Sequence, residues 1–212
     1  MRRSKSLFVT FEGIEGSGKS YQSKKLYRKL KKLGYPVLYT REPGGCKSAE
    51  TIRNIILTGK KNKFNILTDT LLYLASRNEH INEFLSPALK KNKIIICDRF
   101  IDSTEAYQSY GRGINKSLIN FLHKFIIRDI KPNITFLLKL NVTKAFKRMN
   151  KRKIKNRYDQ FSKKFYQKVQ NGFINISKRK KRKFVVLDTS IDTKETENII
   201  FKNIMKLVNN VK

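Results

Sequence analysis

The sequence has few cysteines and prolines and no long apolar stretch. Its two cysteines, Cys46 and Cys97, have no partner at zinc-site or redox-motif spacing, so we expect reduced thiols. The basic start, Met1–Lys5, precedes an apolar run, Leu7–Phe11, that is too short for a secretory signal or a membrane span. With 4 prolines, 10 glycines and 39% hydrophobic residues in 212, we expect one globular domain over residues 1–212 and a cytoplasmic location.

Acidic residues are also scarce. The chain has 16 Asp and Glu against 48 Lys and Arg, a net charge of +32 that would attract any polyanion. The basic residues are spread along the chain, and dense runs occur only at 151–157 and 178–183, without a nucleic-acid-binding motif. We interpret the excess as surface composition that also steers anionic substrates, and we expect no dedicated nucleic-acid partner. A nucleic-acid-binding ATPase is the alternative.

Short apolar runs alternate with longer stretches of helical periodicity. The strand candidates are Leu7–Phe11, Val37–Thr40, Ile94–Cys97, Ile134–Leu140 and Phe184–Leu187. Helices are predicted between them, including one over 68–92 with a break near Pro87 and one over 158–178. This order predicts an α/β fold of three layers, with a five-stranded parallel sheet flanked by helices.

A glycine-rich segment follows the first predicted strand. Gly13-Ile14-Glu15-Gly16-Ser17-Gly18-Lys19-Ser20 has every fixed position of a P-loop and precedes a predicted helix. Backbone N–H groups at such a turn can point together at phosphate oxygens, Lys19 adds positive charge, and Ser20 offers a hydroxyl to Mg²⁺. The segment therefore predicts an ATP-binding site, against the alternative of a simple glycine-rich turn.

Polar residues also follow other predicted strands, where ligands bind in open parallel sheets. Asp98 directly follows the third strand and is placed to hold Mg²⁺ through water, with Arg99 facing a phosphate. The segment 41–45 follows the second strand as a rigid turn.

A basic stretch lies further along the chain, at 147–157, and contains Arg148, Arg152 and Arg157. It predicts either a mobile arginine-bearing lid, around 147–160, or a solvated charge run.

Four motifs occur in register: Thr10–Ser20, Thr40–Gly45, Ala75-Ser76-Arg77 and Asp98–Gln108. In order and spacing they closely resemble those of the bacterial thymidylate kinases, and the resemblance covers nearly the whole chain. It implies transfer of the γ-phosphoryl of ATP to dTMP, with Mg²⁺, in a homodimer. A kinase of another nucleoside monophosphate is the related alternative.

The resemblance also implies roles for individual residues. Tyr73 resembles the aromatic residue that stacks on thymine, while Arg77, Gln108 and Thr104 resemble partners of the base edge. Tyr107 and Glu15 resemble residues that face the sugar. Arg99, Arg53 and Arg41 are expected around the acceptor phosphate, with Ser103 in the same segment as Thr104. The family places a catalytic arginine in the phosphate loop or the lid; since 14–17 carry no basic residue, Arg152 and Arg157 are the candidates, with Arg157 favoured.

Overall fold

The computed structural model describes residues 6–151, 156–179, 184–190 and 193–209. A five-stranded parallel sheet in the order β2-β3-β1-β4-β5 forms the centre. The strands are β1 (Leu7–Glu12), β2 (Val37–Arg41), β3 (Ile94–Asp98), β4 (Ile134–Lys139) and β5 (Phe184–Asp188). The predicted fold class is confirmed, and each predicted strand lies within about one residue of its observed bounds.

The first half of the chain alternates strands and helices as predicted. The helices here are α1 (Lys19–Lys32), α2 (Lys47–Leu57), α3 (Ile66–His80) and α4 (Ser86–Lys90). Between α3 and α4 the chain makes a π-helical turn over Ile81–Leu85. The structure thus departs from an α-helix just before Pro87, as a π-helical turn rather than as the predicted break, and the helical backbone continues through Pro87 into α4.

The second half contains α5 (Ile101–Thr104), α6 (Lys116–Ile127), α7 (Val142–Asn150), α8 (Lys163–Arg179) and α9 (Thr193–Asn209). A second π-helical segment, Glu105–Gly111, continues α5. The helix predicted over 158–178 begins later than expected, because a short 3-10 turn, Arg157–Gln160, precedes α8.

Apolar side chains on both faces of the sheet form the core. Phe11 and Phe136 on neighbouring strands are fully buried, with ring centroids 5.2 Å apart. Each such side chain contributes about 1.5–3 kcal/mol through burial. Among the residues that the structure describes, none of the helices combines the length and the hydropathy of a membrane-spanning segment.

The strand order places the site. β1 pairs in parallel with β3 on one side and β4 on the other, so the segments that leave β1 and β3 run side by side. Phe11 aligns with Asp98 in this register. The P-loop after β1 and the Asp98-Arg99 segment after β3 therefore meet at one edge of the sheet.

Candidate active site

A cavity of about 230 Å³ opens at the carboxyl ends of β1, β2 and β3. Lys19, Ser20 and Asp98 line it. So do all the residues that the resemblance assigns to dTMP: Glu15, Arg41, Arg53, Tyr73, Arg77, Arg99, Ser103, Thr104, Tyr107 and Gln108. The fold thus brings together side chains that lie up to 93 positions apart, from Glu15 to Gln108.

The loop from Gly13 to Gly18 connects β1 to α1 and has the backbone that a P-loop needs. Gly13 has φ 140°, and a Cβ there would lie 2.4 Å from the carbonyl oxygen of Leu138. Gly18 caps α1 with φ 95° and has no side chain to occupy the first amides of the helix. The amides at the N-terminus of α1 therefore stay open to an anion.

Lys19 is buried at the start of α1, only 5% exposed. Its Nζ donates to the carbonyl oxygen of Ile14 at 2.7 Å. Burial lowers the pKa of Lys19 to about 7, helped by the positive charge of Arg99 and opposed by Asp98 and Glu15. Anionic phosphate oxygens would favour the charged ammonium form.

Ser20 and Asp98 make an oxygen pair beside Lys19. The hydroxyl of Ser20 donates to Asp98 Oδ2, and Asp98 Oδ1 is buried without a hydrogen-bond partner. A hydroxyl and a carboxylate with a free oxygen are ligands that Mg²⁺ prefers, with water and phosphate completing the shell. The residues present therefore fit a magnesium ion.

Arg99 joins the P-loop to the rest of the cavity. Its backbone has φ 73°, a region that non-glycine residues rarely adopt and that is concentrated at functional sites. Nη1 donates to the carbonyl oxygen of Gly13 at 2.8 Å and to Ser103 Oγ at 3.1 Å, while Nη2 donates to Glu15 Oε1 at 2.9 Å. The guanidinium is thus held between the two ends of the cavity.

Glu15 is the carboxylate of the P-loop, and Tyr107 faces it across the cavity. The Tyr107 hydroxyl donates to Glu15 Oε2, and Arg99 donates to the other oxygen. Burial would raise the pKa of Glu15, but the charges of Arg99 and Lys19 outweigh it, so the pKa is lowered. Glu15 is therefore ionised at neutral pH.

Glu12 supports this arrangement from the end of β1, a role that the sequence analysis missed. Its side chain is fully buried and accepts hydrogen bonds from the amide of Phe100 at 2.9 Å and the hydroxyl of Ser103 at 2.6 Å. These hydrogen bonds fix the backbone that follows Asp98 and, with it, the position from which the Arg99 side chain extends. The available signal was a carboxylate at the end of an apolar strand, which burial makes costly unless it is paired.

Arg77 on α3 is 2% exposed, and protein groups engage all three of its side-chain nitrogens. Nε and Nη2 both lie 2.7 Å from Glu42 Oε2, and Nη2 also donates to the carbonyl oxygen of Phe100 at 3.0 Å. Nη1 donates at 2.8 Å to Thr104 Oγ1 and to His123 Nε2. Arg77 borders the cavity as the centre of a buried network.

The turn after β2 belongs to the same network. His80 Nδ1 also donates to Glu42 Oε1 at 2.9 Å. Burial would raise the pKa of the Glu42 carboxyl, but Arg77 and His80 outweigh that effect, so the pKa is lowered. Ser76 Oγ accepts from the amide of Gly44 at 3.1 Å. The motifs 40–45 and 75–77 thus fold against each other.

Two arginines stand at the open side of the cavity. Arg41 Nη2 donates to both carboxylate oxygens of Glu50, at 3.1 and 3.0 Å, and Arg53 Nη1 donates to the carbonyl oxygen of Pro43 at 2.5 Å. The Arg41 side chain is 48% exposed and that of Arg53 24% exposed. The half-exposed Arg41 can therefore turn toward an anion at modest cost.

Aromatic rings and one amide form the opposite wall. The Tyr158 ring packs nearly perpendicular to that of Tyr73, with ring centroids 6.1 Å apart, and nearly perpendicular to that of Tyr107 at 5.9 Å. Gln108 Nε2 lies 3.5 Å from the Tyr158 hydroxyl, while Gln108 Oε1 is buried without a hydrogen-bond partner. A flat ring bound against this wall can contact the aromatic side chains and donate one hydrogen bond to Gln108 Oε1.

Arg148 and Arg157, two arginines of the predicted lid, make different contacts. Arg148 Nη1 donates to the carbonyl oxygen of Gly16 at 3.2 Å, so it reaches the P-loop. Arg157 is 1% exposed, pairs with Asp69 and does not line the cavity. Arg152 lies outside the described residues. The catalytic roles of Arg152 and Arg157 stay predictions.

Comparisons with known proteins point to one family. A family model described as thymidylate kinase matches residues 11–200. The thymidylate kinase of Sulfurihydrogenibium sp. is 41% identical over 193 residues, covering 91% of this chain and 94% of that protein. That of Mycoplasma capricolum is 40% identical over 202 residues, covering 94% and 95%. A crystal structure of thymidylate kinase from Ehrlichia chaffeensis superimposes with a TM-score of 0.76 at 35% identity, over 96% of this chain and 98% of that one. The expected resemblance is confirmed, and the chain belongs to the thymidylate kinase family.

Proposed function

We propose that this chain transfers the γ-phosphoryl group of ATP to dTMP, giving dTDP and ADP, as a step in dTTP biosynthesis. The observation that carries the proposal is the position of Arg99, whose guanidinium contacts the P-loop at Gly13 and the predicted acceptor site at Ser103. Two polyanions that must meet end to end need a fixed cation where they meet.

The donor half of the reaction is assigned to the P-loop, Gly13–Ser20. Its amides bind the phosphates of ATP, and Lys19 keeps one N–H on Ile14 while its others reach phosphate oxygens. An ionised acceptor phosphate needs no general base, so the protein supplies position and charge.

Ser20 and Asp98 are proposed to hold Mg²⁺, Asp98 through water. The support is the buried, unpartnered Oδ1 of Asp98 beside the Ser20 hydroxyl. Bound Mg²⁺ neutralises charge on the phosphates.

The acceptor half is assigned to the aromatic wall and the arginines. Tyr73 stacks on thymine, and Gln108 Oε1 accepts a hydrogen bond from the base edge. Thr104 and Arg77 border the same edge, and a contact from Arg77 to the base requires it to exchange one of its present partners. Tyr107 and Glu15 face the sugar, while Arg41, Arg53 and Arg99 surround the phosphate, with Ser103 steadying Arg99.

A lid around 147–160 is proposed to close over the nucleotides within this single domain. It brings one arginine, Arg152 or Arg157, to the charge that develops on the transferred group.

We also propose a homodimer, built on a shared apolar face of α3 and α6. These neighbouring helices expose Leu67, Leu71, Phe121 and Phe125, the two phenylalanines by 58% and 64%. Such a patch fits a second copy of the chain.

The free cysteines, Cys46 and Cys97, and the use of ATP support a cytoplasmic location.

A coupled ADP-release assay with dTMP, dUMP, UMP, AMP and GMP tests the activity. We expect turnover with dTMP and at least about tenfold lower kcat/KM for each other acceptor, because the base-edge contacts reject other bases. Preference for a different monophosphate would contradict the proposed substrate. Hydrolysis stimulated by DNA or RNA without dTDP formation would favour the nucleic-acid-binding ATPase suggested by the charge of +32.

A further inference from the structure

A single buried carboxylate joins three separate segments of the chain. Asp69, in the first turn of α3, is 0% exposed. Arg112, which follows the second π-helical segment, donates to Asp69 Oδ2. Arg157, at the start of the 3-10 turn, donates to Oδ1. None of these three residues lines the cavity.

The charges of this cluster do not balance among its members. Two guanidinium groups share one carboxylate, and Nε and Nη1 of Arg157 are buried without hydrogen-bond partners. A buried ion pair of this kind adds little stability compared with apolar packing, because both partners lose their hydration. Its distinctive effect is to fix where the segment carrying Arg157 sits.

Tyr158, the residue after Arg157, links the ion pair to the cavity. The Tyr158 hydroxyl lies 3.5 Å from Asp69 Oδ2 and 3.5 Å from Gln108 Nε2. The Tyr158 ring forms part of the wall that faces Tyr73 and Tyr107. Any shift of the 3-10 turn would therefore move the wall on which the base and sugar are proposed to rest.

We infer that Asp69 and Arg157 are positioning residues for the monophosphate site: their ion pair docks the turn Arg157–Gln160 on α3 and fixes Tyr158 in the cavity wall. The inference rests on the proposed function for the identity of the ligand. It assigns Arg157 to dTMP binding rather than to the transferred phosphoryl group, which leaves Arg152 as the lid candidate.

The test is calorimetric titration of dTMP without ATP, together with kcat at saturating dTMP, for Asp69→Asn, Arg157→Met and the double variant. We expect each single variant to weaken dTMP binding about tenfold. The double variant should bind dTMP no more weakly than the single variant of lower affinity, since all three variants break the contact between Asp69 and Arg157. We expect kcat to change by less than about threefold.

Two patterns of change in the variants would overturn the inference. One is unchanged dTMP affinity with a loss of kcat of about 100-fold in Arg157→Met, which would place Arg157 on the reacting group. The other is additive losses in the double variant, which would show that the two residues act separately.

Controls separate these results from loss of the fold and from failure of the proposed function. Asp129→Asn removes the same charge from an exposed position and should leave dTMP binding unchanged. If Asp69→Asn does not fold, Arg157→Met carries the test, because it leaves the pair of Asp69 with Arg112 intact. Failure of the parent protein to bind dTMP would contradict the proposed function, whereas parent binding with unaffected variants would contradict only the inference.

Discussion

At the phosphate-loop end of the cavity the polar groups come from one short stretch, residues 13–20, and from Asp98 at the end of β3, whereas at the other end they come from α2, α3, the second π-helical segment and the turns after β2 and β3. The first end relies on main-chain amides, Lys19 and the oxygen pair of Ser20 and Asp98. The second relies on side chains such as Arg77, which are held by buried partners far away in the sequence.

This difference follows from what each end must recognise. Phosphates are alike in every nucleotide, and a glycine-rich turn at a helix N-terminus binds them without side-chain specificity. A base and a sugar must be distinguished from near relatives, which requires polar side chains held in fixed positions. We therefore expect substitutions at the first end to abolish turnover and those at the second to alter affinity.

The largest expected effect is that of Lys19→Met. We expect kcat to fall by about 10²–10³-fold, because the transition state loses its fixed ammonium group. The thermal midpoint should not fall, since an apolar side chain replaces a buried charge. Steady-state kinetics and thermal melting check both parts, and near-normal turnover would contradict the assignment of this end to the donor phosphates.

Tyr73→Ala should act at the other end. Loss of the stacking surface should weaken dTMP binding by about tenfold to a hundredfold and leave ATP affinity unchanged. Titration calorimetry with each nucleotide measures this, with Tyr73→Phe as the matched control that keeps the ring. Equal losses for ATP and dTMP would show that the two ends are not independent.

Glu12→Gln tests the support between the two ends. We expect the free energy of unfolding to fall by about 1–2 kcal/mol, because charge-assisted hydrogen bonds to Phe100 and Ser103 become neutral ones. Urea denaturation measures the change, and Asp129→Asn on the surface should cost much less. An unaltered stability would mean that the Glu12 carboxylate does not hold the Arg99 segment.

The smallest expected effect concerns the pH dependence of Glu15. Its pKa in the folded protein is lowered below the ordinary value of 4.5, so its stabilising contribution is present above pH 4.5 and is lost as the pH falls through the folded pKa. The parent protein should have a higher free energy of unfolding than Glu15→Gln at neutral pH, and this difference should shrink below pH 4.5. Urea unfolding at a series of pH values measures it; a difference that grows on acidification would contradict the assigned pairing with Arg99.

The two ends also differ in how well the sequence predicts them. The strands and the P-loop follow from local patterns, because hydrophobic periodicity and the glycine spacing of 13–18 each lie within one segment. The pairing of Asp69 with Arg157 joins residues 88 positions apart, and no local pattern selects one carboxylate from several. The π-helical segment that carries Tyr107 and Gln108 was also missed, since its sequence is compatible with an ordinary helix.

The resemblance to a family supplied what local patterns could not. It named ten acceptor-site residues, and the fold gathers all of them around one cavity. It did not indicate that Arg77 is engaged by Glu42, Thr104, His123 and Phe100, because that depends on side-chain packing. It also favoured Arg157 as the catalytic arginine. That role stays a prediction, and the contact that the structure shows for Arg157 is its ion pair with Asp69.

ATP and dTMP are proposed to meet end to end across Arg99 in one cavity. Chromatography of a reaction containing ATP, Mg²⁺ and dTMP quantifies dTDP and ADP in the same sample. We expect one dTDP for each ADP, and both products should be lost together in Lys19→Met. Accumulation of ADP without dTDP would show that the two nucleotides do not meet in this way.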